Sequence, residues 1–236
     1  MEPPTGTALT VIMVGLTVAT GVLDAVSFLA LGHVFTGNQT GNLLLLGFGI
    51  AGQGGLPVAA PVVSLGAFVL GAVLGARLES AVARRRRPWF PSALAAEAAL
   101  LAGAAAAAWE PDVARGLPPG PRAAAIGLMA VAMGVRNVTA LRVAAPDLPT
   151  TVATRVMTSL VGGSPLGHDE RLGYGTRAGA RRLASVGAMF AGGLVGAALI
   201  GLRTRPVLVL LLVAAFVAAT ALVVSGLTRR RAAAGD

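Results

Sequence analysis

One aspartate stands inside an apolar run, and a polar heptapeptide follows it. Asp24 is flanked by Val22, Leu23, Ala25 and Val26, and Thr36-Gly-Asn-Gln-Thr-Gly-Asn42 then opens a second apolar run at Leu43. A carboxylate at the centre of a membrane helix costs roughly 2.5–3.5 kcal/mol on insertion scales, so it is paired, protonated or turned to a watery cavity. The chemistry such a group offers is proton or cation coupling; the alternative is a structural hydrogen bond to a neighbouring helix. In the heptapeptide, glycine allows close backbone approach, and Asn42 suits the N-cap of a helix starting at Leu43. The unpaired N–H groups and positive end of that helix would face whatever binds there. Thr40, Gly41 and Asn42 are therefore candidate binding residues, against the alternative of an ordinary extracellular turn.

The pattern recurs later in the chain. Gly21-Val-Leu-Asp24 is answered by Gly134-Val-Arg-Asn137, which makes the neutral Asn137 the counterpart of Asp24. Asp147-Leu-Pro-Thr-Thr-Val-Ala-Thr154 leads a second short apolar segment, as the heptapeptide leads the first. Thr151, Thr154 and Thr158 share one helical face, and Thr151 and Thr154 join the candidate binding set. Arg155 falls where the first half has Gly41. Arg136 and Arg155 are candidate charge partners for Asp24 or an anion, unless they snorkel to the interface. Glu97 and His33 read as interfacial.

Several chemistries find no residues. The chain has no cysteine, which excludes disulfides, thiolate metal sites and cysteine nucleophiles. No Gly-x-Ser-x-Gly elbow, His-Glu-x-x-His or P-loop occurs. The expectation is a protein that is not an enzyme and carries no cofactor or metal. Of 236 residues, 55% are hydrophobic and 12% charged, where a soluble domain carries about 25% charge. The chain reads as an all-α integral membrane protein whose first partner is the lipid bilayer. Its net charge of +9 comes from arginine alone. The arginines cluster between apolar runs, which reads as topology and contact with anionic lipid rather than nucleic acid.

These residues need helices to position them. Spanning a bilayer takes about 20 apolar residues, and six stretches come near that length: 8–32, 58–83, 92–109, 121–143, 183–202 and 206–227. Two shorter apolar segments, 43–52 and 150–163, occupy matching places and are expected as re-entrant half-helices. With six crossings, Arg84 to Arg87, Arg171 to Arg182 and Arg229 to Arg231 share one side with both termini. That side is cytoplasmic by the positive-inside rule. Three spans per half make the halves inverted: a tail 1–7, a first repeat 8–110, a second repeat 121–228 and a basic tail 229–236. The strongest match between the halves pairs Ser64, Gly66, Ala67, Gly71, Gly75 and Ala76 with Ser185, Gly187, Ala188, Gly192, Gly196 and Ala197, all at one offset. Gly71-x-x-x-Gly75 and Gly192-x-x-x-Gly196 are expected to pack helices closely. They are also candidate faces for a homo-oligomer.

Gly21-Val-Leu-Asp-Ala-Val-Ser-Phe with Thr-Gly-Asn-Gln-Thr-Gly-Asn42, then Met133-Gly-Val-Arg-Asn137 and Thr150-Thr-Val-Ala-Thr154, resembles the YoaK-type family of bacterial membrane proteins. The resemblance spans about residues 10–225. It implies a multi-spanning protein of the bacterial inner membrane and brings no substrate. The functional reading is a secondary transporter or permease for a small solute or ion, with Asp24 coupling to protons or cations. The alternatives are a channel of the same architecture, or a non-transporting scaffold or sensor. The scaffold reading expects Asp24 and the heptapeptide to be buried, dry and paired with each other.

Overall fold

In hydrocarbon, a helix pairs its own backbone groups within one segment, and long runs of Ala, Leu and Val take that form here. The computed structural model describes residues 6–109, 119–143, 157, 158, 161 and 176–233. Helix α1 (Gly6–Val26) continues into a π-helical turn, Ser27–Gly32. After it come α2 (Gln39–Ile50), α3 (Ala59–Arg84), α4 (Trp89–Ala107), α5 (Pro119–Val143), α6 (Thr176–Gly201) and α7 (Pro206–Ala233). The described residues include no strand. Six of these helices are long and apolar enough to cross a membrane, α1 together with its π turn being the first. The segment 150–163, with Thr151, Thr154 and Arg155, lies outside the described residues except for 157, 158 and 161.

The first span ends by a local break. The π turn closes with the His33 N–H donating to the Phe28 carbonyl at 3.1 Å. Gly32 stands at φ 137° and His33 at φ 54°. Gly32 occupies backbone space that favours glycine. The two residues turn the chain back toward α1, which carries 35–38 past Asp24.

Helix α2 differs from expectation at its start. It begins at Gln39, capped by Asn38, whose side chain accepts from the Gly41 N–H. Asn42 is not the cap, because its side chain is engaged by the Phe35 backbone. Gln39 and Asn42 fit into the first turn because they face protein partners. The helix has 12 residues, about 18 Å at 1.5 Å per residue, against a hydrocarbon core of about 30 Å. Gly52 at φ 69° closes it in a Schellman motif, with the Gln53 N–H donating to Phe48 O and the Gly52 N–H to Gly49 O, both at 3.0 Å.

Two glycine-mediated crossings join the first half to the second. Helix α1 packs against α6, and α3 against α5. A Cβ added at Gly192 would run into the Val18 carbonyl, and one at Gly71 into the Val131 carbonyl. A Cβ at Gly21 would strike the Met189 carbonyl, and one at Gly134 the Phe68 carbonyl. Gly196 sits 2.9 Å from Val22 O on the same measure, and Gly75 3.0 Å from Val135 Cα. Phe68 and Met189, like Gly71 and Gly192, are matched positions of the sequence repeat, so the crossings are equivalent residue for residue. Helix α4 packs against α5 and α7 and buries Phe90, Leu94, Leu101 and Ala104. Large apolar side chains also point outward, among them Val69, Leu70 and Val73 on α3 and Phe190 and Leu194 on α6. Surface that apolar on membrane-length helices is a lipid-facing surface.

Because the obstructing atoms are backbone, the crossings cannot absorb even one methyl group. Gly192→Ala and Gly71→Ala should each destabilise by about 1–3 kcal/mol, the usual cost of overpacking. Thermal unfolding of the detergent-solubilised protein measures this. Gly187→Ala, on α6 with no atom within 4 Å of the added Cβ, should leave the midpoint unchanged.

Candidate functional site

Asp24 is buried at 4% exposure, and its partners are backbone groups of the reversed chain. Its Oδ1 accepts from Thr36 N at 2.8 Å, from Gly37 N at 2.7 Å and from Thr36 Oγ1 at 3.4 Å. Its Oδ2 accepts from Asn38 N at 3.1 Å. These N–H groups follow a broken helix and have no ladder to join. A carboxylate is the side chain that can gather several of them at once. Gly37 makes the approach possible, since a Cβ there would lie 2.7 Å from Thr20 Cγ2 and 3.3 Å from Asp24 Oδ2.

A second polar knot holds the other end of the segment. Asn42, fully buried, accepts from Phe35 N at 2.9 Å and donates to Phe35 O at 2.7 Å. It also donates to Gln39 Oε1 at 2.8 Å and to Ser64 Oγ at 3.1 Å. Ser64 donates to Phe35 O at 2.7 Å and so ties α3 to the loop. Gly41 lies under the Phe35 ring, which a Cβ would meet at 2.8 Å. Thr40 is exposed.

A third group lies one helical turn before Asp24. Arg136 of α5 forms a buried ion pair with Glu97 of α4 and donates to the Leu16 carbonyl and, at 3.2 Å, to Thr20 Oγ1. This corrects two expectations. Arg136 pairs with Glu97 rather than Asp24, because α5 meets α1 at Leu16 and Thr20 while Asp24 is already served by the loop. Glu97 is not interfacial: it is 1% exposed, held in the core by the guanidinium. Another buried carboxylate, Glu79, accepts from Thr139 Oγ1 and lies 3.7 Å from the Arg142 guanidinium.

Between α1 and α6 the structure opens a cleft of about 320 Å³. Asp24, Asn38, Phe28 and Phe35 line one side, and Met189, Gly193 and Ala197 of α6 the other. Of the expected site residues that are described, only Asp24 lines it; Asn137 is half-buried on α5 and does not. Sequence reading passed over Phe28, Phe35, Met189 and Gly193. Their one signal was proximity to the repeat: Met189 and Gly193 fall inside its glycine-rich block. Ser64 was visible only as a match to Ser185.

A family model described as "Protein of unknown function (DUF1275)" matches residues 12–223. The chain is also 30% identical over 145 residues to the UPF0700 transmembrane protein YoaK of Bacillus subtilis (strain 168). That match covers 60% of this chain and 60% of the relative, so the chain is aligned to less than two thirds of the curated protein. No solved structure matches.

Two outcomes follow from the geometry. Asp24→Ala strips the acceptor from three backbone N–H groups, each worth about 1–3 kcal/mol when buried and unpaired. Hydrogen exchange at the amides of 36–38 should therefore accelerate at least tenfold, with the amides of α7 unchanged. Removing one member of the ion pair, as in Glu97→Leu or Arg136→Met, should cost about 3–5 kcal/mol, because the other charge stays buried. The double variant should be more stable than either single one in thermal unfolding.

Proposed function

The chain belongs to the DUF1275 family and is a multi-pass transmembrane protein, and from that premise we propose that it is a secondary transporter for a small solute or ion. The observation that carries this reading is the cleft between α1 and α6. It holds a buried carboxylate beside a broken helix, at a crossing that joins the two halves. Discontinuous helices at a repeat interface are where transporters place their sites, and non-helical backbone at membrane depth belongs where it is buried or lines a cavity. The halves are inverted in this reading, α2 enters as a re-entrant half-helix, and both termini face the cytoplasm at the inner membrane. The loop arginines support that orientation. The equivalent crossings of α1 on α6 and α3 on α5 support two related halves.

In this mechanism Asp24 couples by alternating between partners. Ionised, it holds Thr36, Gly37 and Asn38. Protonated, its hydroxyl oxygen turns from acceptor to donor and gives up part of that hold, so the loop loosens. Proton occupancy and loop position are thereby linked.

One observation favours a second reading, a non-transporting scaffold or sensor. Asp24, Thr36, Gly37 and Asn42 are buried, and Asp24 is bonded to the start of the heptapeptide, in keeping with the burial and pairing that reading expects. Proteoliposomes carrying an internal pH dye separate the two. A transporter moves protons when its solute is added from a panel of amino acids, sugars, amines and inorganic ions. Asp24→Asn should then abolish the pH dependence of uptake. No solute-dependent proton movement for the wild type, or an unchanged pH dependence in Asp24→Asn, sinks the coupled transporter in favour of the scaffold.

A further inference from the structure

We propose that the cleft between α1 and α6 takes an amphipathic organic cation, an amine or quaternary ammonium carrying a small apolar body. The inference names the substrate class of the site above and rests on reading that cleft as the binding site.

Charge comes first. Among the described residues, Asp24 is the only ionisable side chain lining the cleft. The buried guanidinium of Arg136, which reaches Thr20 one turn before Asp24, is taken up by Glu97. An anion would meet uncompensated repulsion from the carboxylate.

The two carboxylate oxygens are unequally used. Among the described residues, Oδ1 accepts three hydrogen bonds, while Oδ2 accepts one, from Asn38, itself a lining residue. Oδ2 keeps acceptor capacity after the loop is held. The carboxylate can secure the loop with one oxygen and meet a ligand with the other.

The rest of the lining discriminates among cations. Phe28 and Phe35 stack with centroids 4.9 Å apart and planes at 18°. Met189, Leu29, Ala25 and the glycines complete a mostly apolar wall. A bare sodium or calcium ion needs a shell of several oxygens, as the six to eight around calcium illustrate. Asp24 and Asn38 alone fall short of that. A quaternary ammonium needs no such shell. It is attracted by aromatic faces within about 6 Å, and its apolar body fits a lining of this composition. A volume of about 320 Å³ lies at the lower end of small-molecule sites.

The test is isothermal titration of the purified full chain in neutral detergent with benzyltrimethylammonium, alongside benzenesulfonate and sodium. Saturable binding of the ammonium, with none for the sulfonate and no competition by sodium, is the expected result. Gly193→Leu should weaken that binding at least tenfold. Its Cβ enters open space, so the fold tolerates it while the side chain fills the cleft. Gly187→Leu, on the same helix outside the lining and equally unobstructed, should bind as the wild type does. Absence of saturable ammonium binding, or equal binding in Gly193→Leu, overturns the proposal. Ammonium binding without uptake into proteoliposomes keeps the ligand class and sinks transport alone. Uptake of another solute that the ammonium does not inhibit overturns the ligand class and leaves transport standing.

Discussion

Everything around the cleft depends on one constraint: backbone N–H groups freed by a helix break must be satisfied where the protein buries them. The first span breaks at Gly32, and the chain runs back alongside it. Had the loop stayed exposed, solvent would supply acceptors. Here Thr36 and Gly37 are buried, and Asp24 supplies one carboxylate for three successive N–H groups. Asn42 does the same for Phe35 with an amide, which can both accept from its N–H and donate to its carbonyl. A carboxylate suits a run of donors, and an amide suits a single residue presenting both kinds of group. The choice of side chain follows the backbone it must serve.

The glycine crossings make that arrangement reachable. Between helices in lipid, dispersion contacts must replace the hydrophobic drive that water would provide. Gly21 and Gly192 let α1 and α6 touch through their backbones, three residues from Asp24 along α1. The same close approach leaves a cleft beside it, since glycine and alanine fill little space. A tightly packed crossing and an open cleft are two consequences of small residues at one interface.

The sequence made the polar exceptions legible and left their partners hidden. Asp24 and Thr36–Asn42 stood out because polar residues are costly in apolar surroundings, and the repeat marked the glycines that join the halves. The start of α2 was misplaced because residues 39–42 look like a loop when judged by polarity; Ser64 and Phe35, which make them at home in a helix, arrive from elsewhere in the chain. Glu97 was read as interfacial because it lies near the start of its span. Its depth is set by Arg136 on another helix, and no local window contains both. Arg136 in turn looked like a snorkelling side chain beside Asn137. Phe28, Phe35 and Met189 carried no signal, because an apolar residue in an apolar helix is indistinguishable from its neighbours until a cleft exists beside it.

Equivalent crossings with unequal chemistry give the cleft two different walls. Arg136 occupies the repeat position of Leu23, and Asn137 that of Asp24, yet the backbones meet their partners alike. Leu23 and Arg136 are both buried, one by apolar packing and the other by an ion pair with Glu97. That ion pair, with the bonds from Arg136 to Leu16 and Thr20, fastens α1 to α4 and α5 by directional polar contacts. The cleft wall that α6 presents contains no charged side chain; Met189, Gly193 and Ala197 meet α1 through van der Waals surface. Directional bonds between buried charges tolerate little displacement, whereas smooth backbone contact permits the small sliding of packed helices that shear motions use. The wall bearing Asp24 is therefore tied to α4 and α5 by buried polar bonds, while the lining residues of α6 meet it through van der Waals contact.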